Sequence, residues 1–168
     1  RVDGHAGWVN SVAMQAASVD ASSKVPQGGR IERLSDGKTP SGVFIDNAMD
    51  LMQNAVPAPR PKERDLAFAE AQKVLHRYGI TAVADMGTSI EDWQAFRRAG
   101  DRGALTLRVM AYAAGADQME LIAGSGPSPW LYDDKLRMNG IKIYLDGALG
   151  SRGAWLKQPY ADDPGNTG

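Results

Sequence analysis

The sequence predicts an α/β fold: a parallel sheet with crossover helices, preceded by an α+β segment that contains a hairpin. Three observations carry that expectation. Between residues 62 and 146, helical patterns of period 3.6 alternate with short runs rich in β-branched and aromatic residues, an order that joins parallel strands through crossover helices. Pro57-Ala-Pro-Arg-Pro61 is a stiff stretch that separates this part from a different pattern ahead of it. Finally, the strand-like run Gly140-Ile-Lys-Ile-Tyr-Leu145 breaks into Asp146-Gly-Ala-Leu-Gly-Ser-Arg-Gly153. Strands that end in glycine-punctuated polar loops are where β/α barrels keep their chemistry.

Residues 1–61 are taken as a first segment and 62–168 as the α/β part. Residues 1–5 read as the end of a strand. Residues 6–17 have helix composition, with Trp8, Val12 and Ala16 on one face. Residues 30–34 and 39–45 flank Ser35-Asp36-Gly37-Lys38, a hairpin signal because Asp-Gly supplies positive φ. Residues 44–54 look helical, with Ile45, Ala48, Met49 and Met52 on one side.

In the second part, residues 63–78 form a helix whose inner face is Ala67, Ala71, Val74, Leu75 and Tyr78, stopped by Gly79. A strand follows over 80–87. Ser89 caps a helix over 90–99, a strand spans 105–112, a short helix 117–123, and a third strand 140–145. Three strands leave both sheet edges open, so self-association into a homo-oligomer is expected.

Composition narrows the function classes. Nineteen basic residues against 20 acidic ones give a net charge of −1, well mixed along the chain. There is no basic footprint for nucleic acid and no basic amphipathic helix for a membrane surface. No apolar run approaches the roughly 18 residues of a membrane span, and a cytoplasmic location is the default expectation. With no cysteine and only His5 and His76, the chain cannot complete a Cys-ligated zinc site or a histidine-rich metal centre alone. The chain opens on Arg1 and stops in Pro164-Gly-Asn-Thr-Gly168, so both ends read as cut. Other motifs fail. Gly147-Ala-Leu-Gly-Ser-Arg-Gly153 lacks the Lys-Ser/Thr ending of a phosphate loop, and Ser125 lacks the strand–turn–helix setting of a nucleophilic serine.

Val2-Asp-Gly-His-Ala-Gly-Trp-Val-Asn-Ser11, Gly79-Ile-Thr-Ala-Val-Ala-Asp-Met-Gly87, the run from Lys142 through Arg152 and Pro159-Tyr-Ala-Asp-Asp163 resemble the YtcJ-like amidohydrolases. The resemblance covers nearly the whole chain and is most specific from Lys142 to Tyr160. It implies a TIM-barrel, metal-dependent hydrolase acting on amide or formamide carbon–nitrogen bonds of a small-molecule substrate. One or two divalent ions, zinc by preference, would serve as cofactor. It also implies that this chain is an internal segment, inactive by itself. The family's His-x-His would precede Arg1, and its later histidines and last-strand aspartate would follow Gly168. The strands over 80–87, 105–112 and 140–145 would be the second, third and fourth of a partial (β/α)8 barrel, and residues 1–61 an inserted α+β segment, with its hairpin, after the first strand.

With that resemblance, Lys142 becomes the first candidate for both catalysis and metal binding. A lysine there can take up CO2 as a carbamate whose two oxygens bridge metal ions, given burial that depresses its pKa. The competing reading is a lysine snorkelling from an edge strand, or a buried ion pair. Asp146 could orient Lys142 as a catalytic partner, or simply cap an Asp-Gly turn. Arg152 offers a planar fork for a substrate carboxylate or carbonyl, and His5 a substrate contact. Against these stand a loop arginine and a packing histidine beside Trp8 and Asn10. His76 falls on the solvated side of its helix. Asp85, near a strand end, is as well explained by a turn. Two other functions compete with the hydrolase: a Schiff-base lysine lyase of the aldolase type, and a non-catalytic α/β domain that binds a protein.

Overall fold

A computed structural model describing residues 1–168 begins with three antiparallel strands, β1 (Ala6–Trp8), β2 (Gly29–Arg33) and β3 (Pro40–Asp46), in the spatial order β1-β3-β2. The Asp-Gly signal produces the expected hairpin. The Asp36 carboxylate accepts the Lys38 and Thr39 amides, each at 2.8 Å, and Gly37 sits at φ +67°. Bonding to the Thr39 hydroxyl, then to these two amides, holds the Asp36 carboxyl below its usual range. Along β3 the residues alternate between buried and half-exposed, the period of a strand with one covered face. Phe44, opposite Ile31, is the centre of a core completed by Val19, Ala48 and Met52.

Two helix expectations in this region are corrected. The helix over 6–17 shrinks to α1 (Ser11–Ala16), because residues 6–8 are taken by pairing with β3 and Asn10 caps the helix through the Ala13 amide at 2.9 Å. Trp8 and Val12 are exposed, and Ala13 and Met14 pack inward instead. The helix over 44–54 is replaced in its first turn by β3, which runs on through Asp46. Only a 3-10 turn at Asn47–Met49 and the short α2 (Asp50–Gln53) remain helical. Ile45, Ala48, Met49 and Met52 had mimicked a helical stripe, but Ile45 is paired across to both β1 and β2.

Next come α3 (Pro61–Arg77), β4 (Ala82–Thr88), α4 (Ile90–Asp101), β5 (Arg108–Ala114), α5 (Ala116–Ala123) and β6 (Leu136–Lys142). The strands form a parallel sheet in the order β4-β5-β6, as helix–strand alternation predicts. Val109, Ala111, Ala113, Leu136 and Met138 point to one face and are buried against Trp93, Phe96, Ala99 and Met119 of the helices. The alternate residues Met110, Tyr112 and Ala114 lie on the face that these helices do not cover.

The third strand begins and ends earlier than 140–145. Leu136-Arg-Met-Asn139 alternates buried with half-exposed residues, and Leu136 pairs with Val109. Its two polar residues, Arg137 and Asn139, disguise a strand that the run Ile141-Lys-Ile-Tyr-Leu145 placed too late in the sequence. The inner face of α3 is also displaced from the expected Ala67–Tyr78 stripe: Ala67, Ala71, Val74 and Tyr78 are exposed. Phe68 and Leu75 pack on the core, with Phe68 and Phe96 ring centroids 4.6 Å apart. Buried Gln72 lies between them. Its side-chain oxygen accepts the Thr106 and Leu107 amides at 2.8 and 3.2 Å, and its NH2 donates to the Ala104 carbonyl. Polar anchors fix this helix, and hydrophobic periodicity does not register them.

Asp65 on the same face receives Arg98 at 2.7 and 2.9 Å and Arg102 at 3.1 Å. The hydrogen bonds from Arg98, foremost, hold its carboxyl below the ordinary value of 3.8. A depressed folded-state pKa stabilises the fold above the unfolded-state value and ceases to do so as pH falls through the folded one. Asp65→Asn should therefore lower stability at neutral pH and flatten its decline below pH 3.8, as denaturant unfolding across that range will show.

The compact units are Arg1–Ala58 with Tyr144–Gly168, and Pro59–Ile143. Residues 144–168 thus group with the N-terminal segment, whereas proline punctuation alone had kept 62–168 together. No helix is long and apolar enough to cross a membrane.

Candidate functional site

Lys142 is the last residue of β6, not the middle of a strand as the sequence suggested. It is half-buried and opposite Ala114 in register. A register shift between Ala111 and Tyr112 sets Gly140 against Tyr112 and Lys142 against Ala114, which puts Lys142 on the face of the sheet away from the core helices. Asn139 donates to the Tyr112 hydroxyl at 2.8 Å across the same pair of strands. The C-terminal end of a parallel strand, on the face without helices, is the address of barrel chemistry. Asp85 does not share it. It is paired with buried Ala111, on the helix-covered side, and accepts the Thr88 hydroxyl at 2.5 Å. His76 is exposed, as expected, with Nε2 2.9 Å from the Thr106 hydroxyl.

No three His, Asp or Glu side chains are placed anywhere in the chain so that they could hold a metal ion. The residues present offer Lys142 as a single ligand and do not by themselves build a metal centre.

The other candidates belong to the first unit. His5 immediately precedes β1 and Asp46 ends β3, so antiparallel pairing brings them together. The Asp46 amide donates to the His5 carbonyl at 3.1 Å, and His5 Nδ1 lies 2.8 Å from Asp46 Oδ1. Both side chains are shielded, 33% exposed for His5 and 14% for Asp46. Asp46 also adopts φ +47°, ψ −126°, a conformation that glycine favours and that costs other residues about 1–3 kcal/mol.

A pocket of about 480 Å3 is lined by His5, Asp46, Asn47, Asp50, Tyr144 and Asp146 among others, within the range of roughly 300–1,000 Å3 typical of small-molecule sites. The glycine-rich loop contributes by leaving room: a Cβ at Gly153 would stand 2.7 Å from Asp46 Oδ2. The Asp-Gly-His run and the Gly-Ser-Arg-Gly run thus meet at one carboxylate.

Asp146 accepts the Trp155 amide at 3.0 Å and is exposed, so it caps the loop while lining the pocket. Arg152 sits at φ +60° with its fork turned onto Asp162, Nε to Oδ1 at 3.1 Å and Nη2 to Oδ2. Those hydrogen bonds raise the guanidinium pKa and lower that of the Asp162 carboxyl. A substrate carboxylate would reach the Nε–Nη2 edge of this fork only by exchanging with Asp162. The pocket-lining residue that sequence reasoning missed is Asp46. Its signal was a carboxylate at the end of a hairpin strand, hidden by the helix assigned over it.

The profile of the amidohydrolase family matches residues 1–168. The protein LONG AFTER FAR-RED 3 of Arabidopsis thaliana is 32% identical over 100% of the chain and 30% of its own length. The putative amidohydrolase YtcJ of Bacillus subtilis is 32% identical over 100% of the chain and 32% of its own length. An N-substituted formamide deformylase of Arthrobacter pascens is 28% identical over 88% of the chain and 29% of its own length. Among solved structures, an uncharacterized metal-dependent hydrolase of Pyrococcus horikoshii superposes with a TM-score of 0.68 at 22% identity, covering 98% of the chain and 32% of the other protein. The chain therefore spans about a third of the length of these relatives.

Proposed function

Because the chain belongs to the amidohydrolase family, we propose that it is an internal part of a metal-dependent hydrolase that cleaves amide- or formamide-type carbon–nitrogen bonds. The observation that carries this reading is the position of Lys142, at the C-terminal end of a parallel strand on the face without helices. The formamide deformylase among the relatives supports the bond type. In this reading β4, β5 and β6 are consecutive strands of a TIM barrel, and residues 1–61 are an insertion after its first strand. The enzyme is cytoplasmic and self-associates.

Lys142, as a carbamate, would contribute one ligand to the divalent ion or ions, zinc by preference, that the full-length enzyme would hold. The other ligands come from parts of the enzyme outside these residues. A bound divalent ion would supply an acidified water and a polarised carbonyl. The residues of this chain hold the substrate. His5 contacts it, Asp146 braces the loop after the lysine strand, and Arg152, paired with Asp162, shapes that loop or exchanges partners for a substrate carboxylate.

Intact mass and metal content of the full-length enzyme, measured in bicarbonate, test the proposal. A mass gain of one CO2 located at Lys142, with metal bound, and both lost in Lys142→Ala, is expected. An unmodified lysine that borohydride traps as a substrate adduct would replace this reading with the Schiff-base lyase.

A further inference from the structure

We propose that Asp46 is a positioning residue that fixes the ring of His5 as its Nδ1–H tautomer, so that Nε2 serves as a hydrogen-bond acceptor for an N–H group of the substrate. An ionised carboxylate can only accept, so the 2.8 Å contact between His5 Nδ1 and Asp46 Oδ1 requires the proton on Nδ1. The neutral ring then has one acceptor left, Nε2, and His5 lines the pocket described above. A histidine whose orientation and tautomer are set by a carboxylate is a recurring arrangement wherever imidazole must present one defined nitrogen.

Three features show that the pair is built to hold this geometry. The backbones are tied as well as the side chains, through the Asp46 amide and the His5 carbonyl. The residue at 46 occupies a backbone conformation better suited to glycine, so the fold retains a strained aspartate where a relaxed alternative exists. Strain of that kind concentrates at functional positions. Gly153, whose Cβ would collide with Asp46 Oδ2, leaves the space that this carboxylate occupies.

The ligand class follows from the acceptor. A secondary amide, a formamide bearing one N-substituent or a primary amine carries the N–H that Nε2 takes, whereas a tertiary amide does not. This extends the reading of His5 as a substrate contact and rests on it.

The test uses 15N-histidine labelling of the protein. The labelled protein is the full-length enzyme, and the ring signals lost in His5→Gln are those of His5. With the rings neutral, His5 should show a protonated, pyrrole-type Nδ1 and a pyridine-type Nε2. Asp46→Gly, the variant that the backbone angles accommodate best, and Asp46→Asn should each lose that pattern and shift His5 toward the Nε2–H form. Asp46→Glu should restore it in part. N-methylformamide should move the Nε2 resonance of the unsubstituted protein, and N,N-dimethylformamide should not.

A wild-type His5 already protonated on Nε2, or a pattern unchanged in Asp46→Gly, overturns the positioning role. Equal responses to the two formamides, or none to either, overturn the N–H acceptor role. None of these results bears on whether Lys142 is carboxylated, so this inference and the hydrolase reading can fail separately.

Discussion

Lys142→Ala in the full-length enzyme, assayed with the divalent ion in excess, should lower kcat/KM by about 10³-fold or more, beyond the 10–100-fold typical when a residue that only orients a ligand is changed. The argument starts from position. A half-buried lysine on the last residue of β6, facing away from the core helices, has no part in the cluster of Leu136, Met138 and Val109. Removing it should leave the sheet folded, so the loss should appear in turnover rather than in stability. Because the proposed carbamate acts through two oxygens, a small carboxylate supplied from solution should replace it in part. Acetate or formate should raise the activity of Lys142→Ala while leaving the unsubstituted enzyme unchanged. Steady-state kinetics with and without added carboxylate make the measurement. Full activity in Lys142→Ala would remove the lysine from the mechanism, and an inactive variant that carboxylates cannot rescue would argue for an amine role instead.

Much of the second unit was legible because its signals are local and redundant. Ser89 caps α4 with both its own acceptor oxygen and a bond to Asp92, and glycines close the helices on either side. That β4, β5 and β6 are parallel followed from alternation alone. What escaped was set by contacts distant in sequence. The inner face of α3 is anchored by Asp65 and Gln72, whose partners lie some thirty residues away, and polar anchors carry no weight in a hydrophobic stripe. The start of β6 was hidden by Arg137 and Asn139, which occupy the uncovered face of a strand whose other face is apolar.

At the site, the lysine strand and its glycine-rich loop were visible as motifs, and the family profile matches them together with the rest of the chain. Asp46 was not visible, because its value comes from an antiparallel pairing with a segment some forty residues earlier. A helical reading of residues 44–54 also left it facing nowhere in particular. Arg152 was legible as a charged loop residue, but its partner Asp162 was not singled out, and that partner occupies the fork proposed for substrate.

The pocket of the first unit depends on a small core, which makes Phe44→Ala the most damaging single change expected there. Phe44 is 1% exposed and stands on β3, the central strand, between β1 and β2. The fully buried members of its cluster are only Val19, Ile31, Ala48 and Met52 besides itself. Truncating a buried phenylalanine costs about 3–5 kcal/mol through lost transfer energy and the cavity left behind. That is a large share of the roughly 5–15 kcal/mol available to a whole domain. Phe44 is also two residues from Asp46 on the same strand, so loosening β3 should loosen the pairing that holds His5. Hydrogen exchange will show the effect: amides of β2 and β3 should lose protection in Phe44→Ala and keep most of it in Phe44→Leu, which retains much of the volume. The core of the second unit, centred on Leu107, Val109, Leu136 and Met138, shares no residue with that of Phe44, and amides of β5 should exchange as before. If β5 loses protection in step with β3, the two cores melt as one and the pocket around His5 and Asp46 is no more fragile than the sheet that carries Lys142.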